Sequence, residues 1–313
     1  MVPVYVSPVA CSMDEVRQYE SCFMGRNIMF LMPSLASGGA ERVIVTLIKY
    51  LDRTKYTPVL VILNQGKNPL DLKEMGCEAE LINLNVSKAR YAWAPLYKLI
   101  KSRKPDTVVS TLGYVNEILS LMIPFLPKTI RYIARESSIP SMRNKADKNA
   151  FVHEWIYNRF MKRFDVIVCQ SMAMFEDMKN NYGFTEDKLI EIDNPVDREY
   201  LIKKSQEDCN EMSSEFHNVI AIGSLKSVKN YGRLIKEAAN APENYRYYIL
   251  GEGVERKKLE DQIRDLNLID KVKLLGHQSN PWKFMARADE FWQKSHWEGN
   301  SNAKKEWEQL KMN

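Results

Sequence analysis

Short apolar runs alternate with amphipathic stretches along most of the chain. Ile28–Met32, Pro58–Leu63, Glu80–Leu84, Thr107–Thr111, Thr129–Ala134 and Asp165–Cys169 read as strands. Between them, Val43, Leu47, Ile48 and Leu51 fall on one helical face. Helices are predicted over Trp93–Ser102, Val115–Ile123 and Phe151–Phe164, and Ser171 caps another that runs to about Asn181. This rhythm predicts βα units and a parallel sheet. It breaks at Asn194-Pro195-Val196-Asp197 and a polar run, Lys203 to Glu215, that offers little to bury. It restarts at Val219–Ile222, continues through Tyr247–Leu250 and Val272–Leu275, and reaches a helix opened by Asn280-Pro281. The expected layout is an N-terminal extension over 1–26, poorly ordered, then domains over 27–197 and 198–313.

The segment Val219 to Gly253 carries the first chemistry. A strand meets Gly223; Lys229 and Asn230 precede an apolar helical pattern; a second strand ends in Gly251-Glu252-Gly253. In open parallel sheets, ligands sit beyond the carboxyl ends of the strands. Glycines there let backbone N–H groups approach a phosphate, and the next helix N-terminus favours negative charge. Lys229 adds a cation, so the stretch reads as a nucleotide-diphosphate half-site. Solvated glycine turns of an ordinary doubly wound domain are the plain alternative. Gly38-Gly39, after the first strand and at the start of its helix, repeats the arrangement; a tight turn against a neighbouring strand explains it equally simply.

Bulk properties narrow the class. The 313 residues suffice for two domains. A net charge of +5 does not demand a nucleic-acid partner, and none is expected. Lys128 to Arg163 holds nine Lys/Arg against three Asp/Glu, a local excess of +6 that can attract phosphates or an anionic membrane. Tyr132, Phe151, Trp155, Tyr157 and Phe160 interleave it. Five cysteines with no CxxC pair fit a reducing compartment, and no cluster has metal-ligand spacing. The start has no basic, apolar leader pattern, and no stretch is long and apolar enough to span a bilayer.

Taken in order, these motifs resemble the retaining family-4 glycosyltransferases of the two-domain GT-B fold. Gly38-Gly39-Ala40-Glu41-Arg42 resembles their N-terminal glycine loop, and Asn194-Pro195-Val196-Asp197 their linker. Gly223-Ser224-Leu225 with Lys229-Asn230 resembles their phosphate loop, Gly251-Glu252-Gly253 and Leu275-Gly276-His277 the next two loops, and Glu298 with Glu306 their E-x7-E signature. The resemblance implies two Rossmann-like doubly wound domains facing a cleft. It implies a hexose or N-acetylhexosamine moved from a nucleotide-sugar, commonly UDP-linked, to a glycan or lipid-linked acceptor with retention.

By the same resemblance, Lys229 neutralises the leaving diphosphate, with Gly38 and Gly39 offering N–H groups from the other domain. Gly223, Ser224, Asn230 and Gly253 line the donor loops. Gly276 and His277 contact the base, Glu298 the donor sugar and Glu306 the ribose. Arg135 and Glu136, at a strand end, are acceptor-side candidates. No cofactor or metal is expected, and the location implied is the cytoplasm, at the inner face of the cell membrane. Ser224 departs from the arginine usual in the family. Ala288–His296 carries Glu290, Gln293 and Lys294 where a buried apolar strand is expected, and the family continues further. An incomplete second domain with an open sheet edge is therefore expected. A nucleotide-sugar- or glycan-binding remnant without activity is the alternative reading, and a sugar-nucleotide epimerase a third.

Overall fold

A computed structural model describes residues 10–87, 89–296 and 300–312. The chain divides into two compact units, Met1–Val196 and Asp197–Asn313.

The first unit is built on seven parallel strands: β1 (Asn27–Met32), β2 (Thr57–Ile62), β3 (Glu80–Asn83), β4 (Thr107–Thr111), β5 (Arg131–Arg135), β6 (Val166–Cys169) and β7 (Leu189–Glu191). Their order is β3-β2-β1-β4-β5-β6-β7, with β1 between β2 and β4. Continuous apolar runs such as Ile28–Met32 suit strands covered on both faces. β3 is the exception expected of an edge: Glu80 and Leu81 are exposed.

The helices of this unit are α1 (Ala10–Cys22), α2 (Gly39–Tyr50), α3 (Trp93–Arg103), α4 (Gly113–Met122), α5 (Pro140–Ala146), α6 (Ala150–Arg159) and α7 (Met172–Tyr182). One core layer joins Leu96 and Ile100 of α3, Val115 and Leu119 of α4, Tyr157 of α6 and Met174 and Met178 of α7 to the sheet. In α2, six consecutive residues from Val43 to Ile48 are buried, more than one stripe needs. The cause is α1, which lies against α2 and buries Val16 and Tyr19. Glu20 fixes its end by accepting from the Asp52 N–H at 2.9 Å. The expected disordered extension is thus corrected for residues 10–22: Val16, Tyr19 and Cys22 share a face that α2 buries.

The second unit has four parallel strands, β8 (His217–Ile222), β9 (Tyr245–Leu250), β10 (Val272–Gly276) and β11 (Glu290–Phe291), in the order β10-β9-β8-β11. Its helices are α8 (Arg198–Ser205), α9 (Tyr231–Ala239), α10 (Arg256–Asp265), α11 (Trp282–Arg287) and α12 (Asn302–Lys311). Asp197 caps α8 by accepting from the Tyr200 N–H at 3.1 Å. The polar run after it does bury side chains, Cys209 and Met212.

The polar stretch near residue 290 also differs from expectation. Glu290 pairs with Val219 and Phe291 with Ile220, so β11 occupies one edge of β8. Two residues suffice because the following segment is anchored by side chains. Trp292 donates from its backbone to Ile220 and from Nε1 to Glu237 Oε2, both at 2.8 Å. Lys294 Nζ reaches the same carboxylate at 3.0 Å.

Candidate functional site

In the second unit, three consecutive strand ends meet through their glycines. Gly223 and Gly251 follow β8 and β9 with φ of +151° and +144°, a region that residues with a Cβ rarely adopt. A Cβ on Gly251 would lie 2.0 Å from the carbonyl oxygen of Gly223, and one on Gly253 2.4 Å from that of Leu225. The Gly223 N–H donates to Leu250 at 3.0 Å, the Leu225 N–H to Glu252 at 2.9 Å and the Gly251 N–H to Gly276 at 2.8 Å. These bonds lock the loops after β8, β9 and β10 into one surface. Gly276 ends β10, and His277 beside it is exposed.

The Lys229 side chain lies along this surface. A Cβ on Gly223 would sit 3.1 Å from its Cε and 3.0 Å from the Tyr231 hydroxyl. The Lys229 stem therefore fills the space left by the missing side chain. Asn230 adopts a left-handed conformation at the start of α9, and its Nδ2 donates to the Lys294 carbonyl at 3.3 Å. Ser224 is exposed on the same turn. Gly223, Ser224, Lys229, Asn230, Gly253, Gly276 and His277 thus share the carboxyl-end loops of one sheet. This is glycine backbone with a cation beside a helix N-terminus, chemistry suited to a phosphate ester.

The two carboxylates of the spaced pair stand differently. Glu298 lies outside the described residues. Glu306 is on α12 and only 7% exposed; its Oε2 accepts from Trp282 Nε1 at 3.0 Å, which ties α12 to α11. Glu306, expected at the nucleotide's ribose, thus has a largely sealed carboxylate with one oxygen held by an indole. The E-x7-E spacing carries no information about the indole that occupies this oxygen.

In the first unit, Gly38 caps α2 and Gly39 is its first residue. A Cβ on Gly38 would lie 2.3 Å from Glu41 Oε2, because the Glu41 side chain folds back over the cap. Burial raises the pKa of Glu41. Burial likewise raises Tyr114 to about 12, with the Glu41 charge adding to the shift.

Arg135 and Glu136, at the end of β5, are both fully buried and present no side chain to an acceptor. That is a correction to the expected role. Arg135 donates from Nε to the Tyr19 hydroxyl at 3.0 Å, from Nη1 to Thr111 Oγ1 at 3.1 Å and from Nη2 to Asn194 Oδ1 at 2.6 Å. It ties together α1, β4, β5 and the turn before residue 197. Glu136 Oε1 accepts from Asn116 at 2.9 Å and from the Tyr157 hydroxyl at 2.7 Å. Such partners are what a buried charge requires.

A second cluster gives little sign of itself in the sequence. Arg143 Nη2 is 3.3 Å from Glu117 and Nη1 is 3.6 Å from Glu136. His153 Nδ1 lies 2.8 Å from Glu117 Oε2, and its Nε2 3.4 Å from Asp147. Burial raises the Glu117 pKa, opposed by His153 and Arg143. The one hint in the sequence is a histidine within an aromatic helix. Among the described residues no group of three or more His, Cys, Asp or Glu could hold a metal ion.

Comparison with known proteins decides the family. Residues 37–200 match the model for Glycosyltransferase Family 4, and residues 205–301 that for glycosyl transferases group 1. The chain belongs to glycosyltransferase family 4. This glycosyltransferase is 31% identical over 277 residues to a Campylobacter jejuni enzyme. That relative is the N-acetylgalactosamine-N,N'-diacetylbacillosaminyl-diphospho-undecaprenol 4-alpha-N-acetylgalactosaminyltransferase, and the match covers 86% of this chain and 74% of the relative. A second C. jejuni enzyme, an alpha-1,4-N-acetyl-D-galactosaminyltransferase named for a GalNAc-extended diNAcBac-PP-undecaprenol, is 26% identical, with 81% and 68% covered. The Anabaena protein Alr3699/HepE, solved with UDP and glucose, shares the fold at a TM-score of 0.72 and 19% identity, covering 91% of this chain and 78% of that one. The glycosyltransferase has the GT-B class of α/β fold, with a parallel sheet in each unit.

Proposed function

We propose that this glycosyltransferase moves a hexose or N-acetylhexosamine from a nucleotide-sugar, UDP-linked in the first instance, to a lipid-linked or surface-polysaccharide acceptor with retention of configuration. The observation that carries this is the seating of Lys229 on Gly223, beside the interlocked loops of Gly251, Gly253 and Gly276. Charge builds on the leaving diphosphate as the glycosidic bond breaks. A cation fixed there lowers that barrier, and removing one group that stabilises such developing charge typically costs about 10²–10³ in rate. In this reading the second unit binds the donor, with Ser224, Asn230, His277 and Glu298 as further donor contacts. The first unit serves the acceptor, and the Gly39 N–H is its donor for a phosphate; the Gly38 N–H, expected to share that role, is bonded to the Ala36 carbonyl at 2.7 Å. No metal is required if such groups supply the positive charge.

Supporting the donor is the UDP held by the Anabaena neighbour; supporting the acceptor are the undecaprenol-linked substrates in the names of the two C. jejuni relatives. An acceptor of that kind implies work at the inner face of the cell membrane.

The deciding experiment measures nucleoside diphosphate released from a panel of UDP- and GDP-sugars in the presence of polyprenyl-diphosphate-linked glycan acceptors, with calorimetric binding of UDP and GDP beside it. Release that falls about 10²-fold or more in Lys229→Ala supports the transferase mechanism. Nucleotide binding without release from any donor establishes the binding-only reading. Absence of binding removes the site.

A further inference from the structure

Helix α6 is apolar on the side that faces out. Its inward side is fixed: Ile156 and Tyr157 are buried, the Tyr157 hydroxyl bonds to Glu136, and His153 bonds to Glu117. Its outward arc holds Phe151, Val152 and Trp155, exposed by 83%, 50% and 51%. A surface helix normally turns polar residues to water. Here the anchoring bonds leave those three side chains no inward alternative. The Trp155 ring also packs on Phe160, centroids 4.7 Å apart, which sets a rigid aromatic pair at the helix end.

Cations outnumber acids around this arc. Lys145 and Lys148 precede the helix, and Arg159 and Lys162 close it; all four are exposed, and none forms an ion pair among the described residues. The nearby acids are engaged: Asp147 faces His153 Nε2, and Glu154 accepts from the Tyr182 hydroxyl at 2.9 Å. A protein partner of matching shape would need acids set among apolar contacts. A sheet of anionic headgroups over hydrocarbon offers both at once, and amphipathic tryptophan suits that boundary.

We propose that α6 is the membrane-docking element of this protein. Phe151, Val152 and Trp155 enter the headgroup region of an anionic bilayer, and Lys145, Lys148, Arg159 and Lys162 engage the lipid phosphates. The proposal rests on the lipid-linked acceptor reading for its purpose, but not for its test, since docking needs neither donor nor acceptor.

The test is sedimentation of the full chain with vesicles of phosphatidylcholine and phosphatidylglycerol in equal parts, against phosphatidylcholine alone. Wild type is expected to bind the anionic vesicles and to be released by salt. Phe151→Ser/Trp155→Ser should weaken binding about tenfold or more, and, separately, Lys145→Gln/Lys148→Gln/Arg159→Gln about a hundredfold. The glutamine variant should melt as wild type, while the serine variant loses the Trp155–Phe160 packing and should melt slightly earlier yet remain folded at the assay temperature. No vesicle binding by wild type, binding unaltered by either variant, or self-association that the serine variant abolishes would overturn the proposal. Vesicle binding with no nucleotide release from any donor would leave docking standing and remove the transferase mechanism alone.

Discussion

The α-carbon of Gly251 lies so close to Gly223 that a methyl group on it would come within 2.0 Å of the Gly223 carbonyl oxygen. Two turns from different strands share the space of one side chain. Gly251→Ala is therefore expected to part the loops after β8 and β9. Its φ of +144° adds strain to the overlap, so the loss should exceed about 2 kcal/mol. Urea unfolding measures it, and UDP titration at a temperature where the variant remains folded should show weakened binding. Wild-type stability and affinity in Gly251→Ala would mean that the two turns can separate freely.

Arg135→Lys tests whether β5 ends in structure. Three acceptors, Tyr19, Thr111 and Asn194, are reached from one planar guanidinium. An ammonium on a single stem cannot serve all three, which leaves buried acceptors unmatched. A loss of about 1–3 kcal/mol in thermal unfolding is expected, with the UDP affinity of the folded protein unchanged.

Gly113→Ala opposes two effects. Alanine is the better helix former, by less than the roughly 1 kcal/mol of a helix interior because Gly113 is the first residue of α4. Yet its methyl would fall 1.4 Å from Arg143 Nη1, so the guanidinium between Glu117 and Glu136 must leave its seat. Net destabilisation of about 2 kcal/mol is expected, since stranding a buried carboxylate outweighs the propensity gain. In a cycle with Arg143→Ala the two losses should add to less than their sum, and denaturant unfolding of the four proteins checks this. Net stabilisation by Gly113→Ala alone would show that the seat matters little.

Glu237 gives the second unit an acid limit. Burial works to raise its pKa, but bonds from Trp292, Lys294 and Arg233 hold it down to about 2. A carboxylate with a lowered folded-state pKa binds fewer protons folded than unfolded. Its stabilisation is complete above the ordinary carboxylate range and fades as pH falls from about 4.5 towards about 2. Glu237→Gln should flatten that limb of the stability–pH curve. It should also loosen the stretch after β11, seen as faster hydrogen exchange at Trp292. An unchanged acid limb would assign the pH dependence to other groups.

How much is legible in the sequence follows the range of each interaction. Strands β1, β2, β4 and β6 announce themselves as apolar runs, because a strand covered on both faces needs nothing else. The glycines at 223, 251 and 253 are visible as turns after strands. That Gly251 touches Gly223 is not, since it depends on how two neighbouring strands end. β11 reads as too polar for a strand. Its two residues pair because Trp292 and Lys294 reach across to Glu237 on α9, and a pattern search along one segment does not see a partner on another. The strand-end position of Arg135 and Glu136 can be read locally, but not their burial, which Tyr19 and Asn194 bring about from far away in the chain.

The sequence by itself determined the alternation of strands and helices, the family, and the loops on which donor chemistry is expected, because these are written in local spacing. Only the tertiary structure decided that α1 covers α2, that Glu306 bonds to Trp282, and that α6 turns Phe151 and Trp155 outward. Each of these follows from which surfaces remain to be covered once the sheets have formed, a property of the packed units and not of any one stretch.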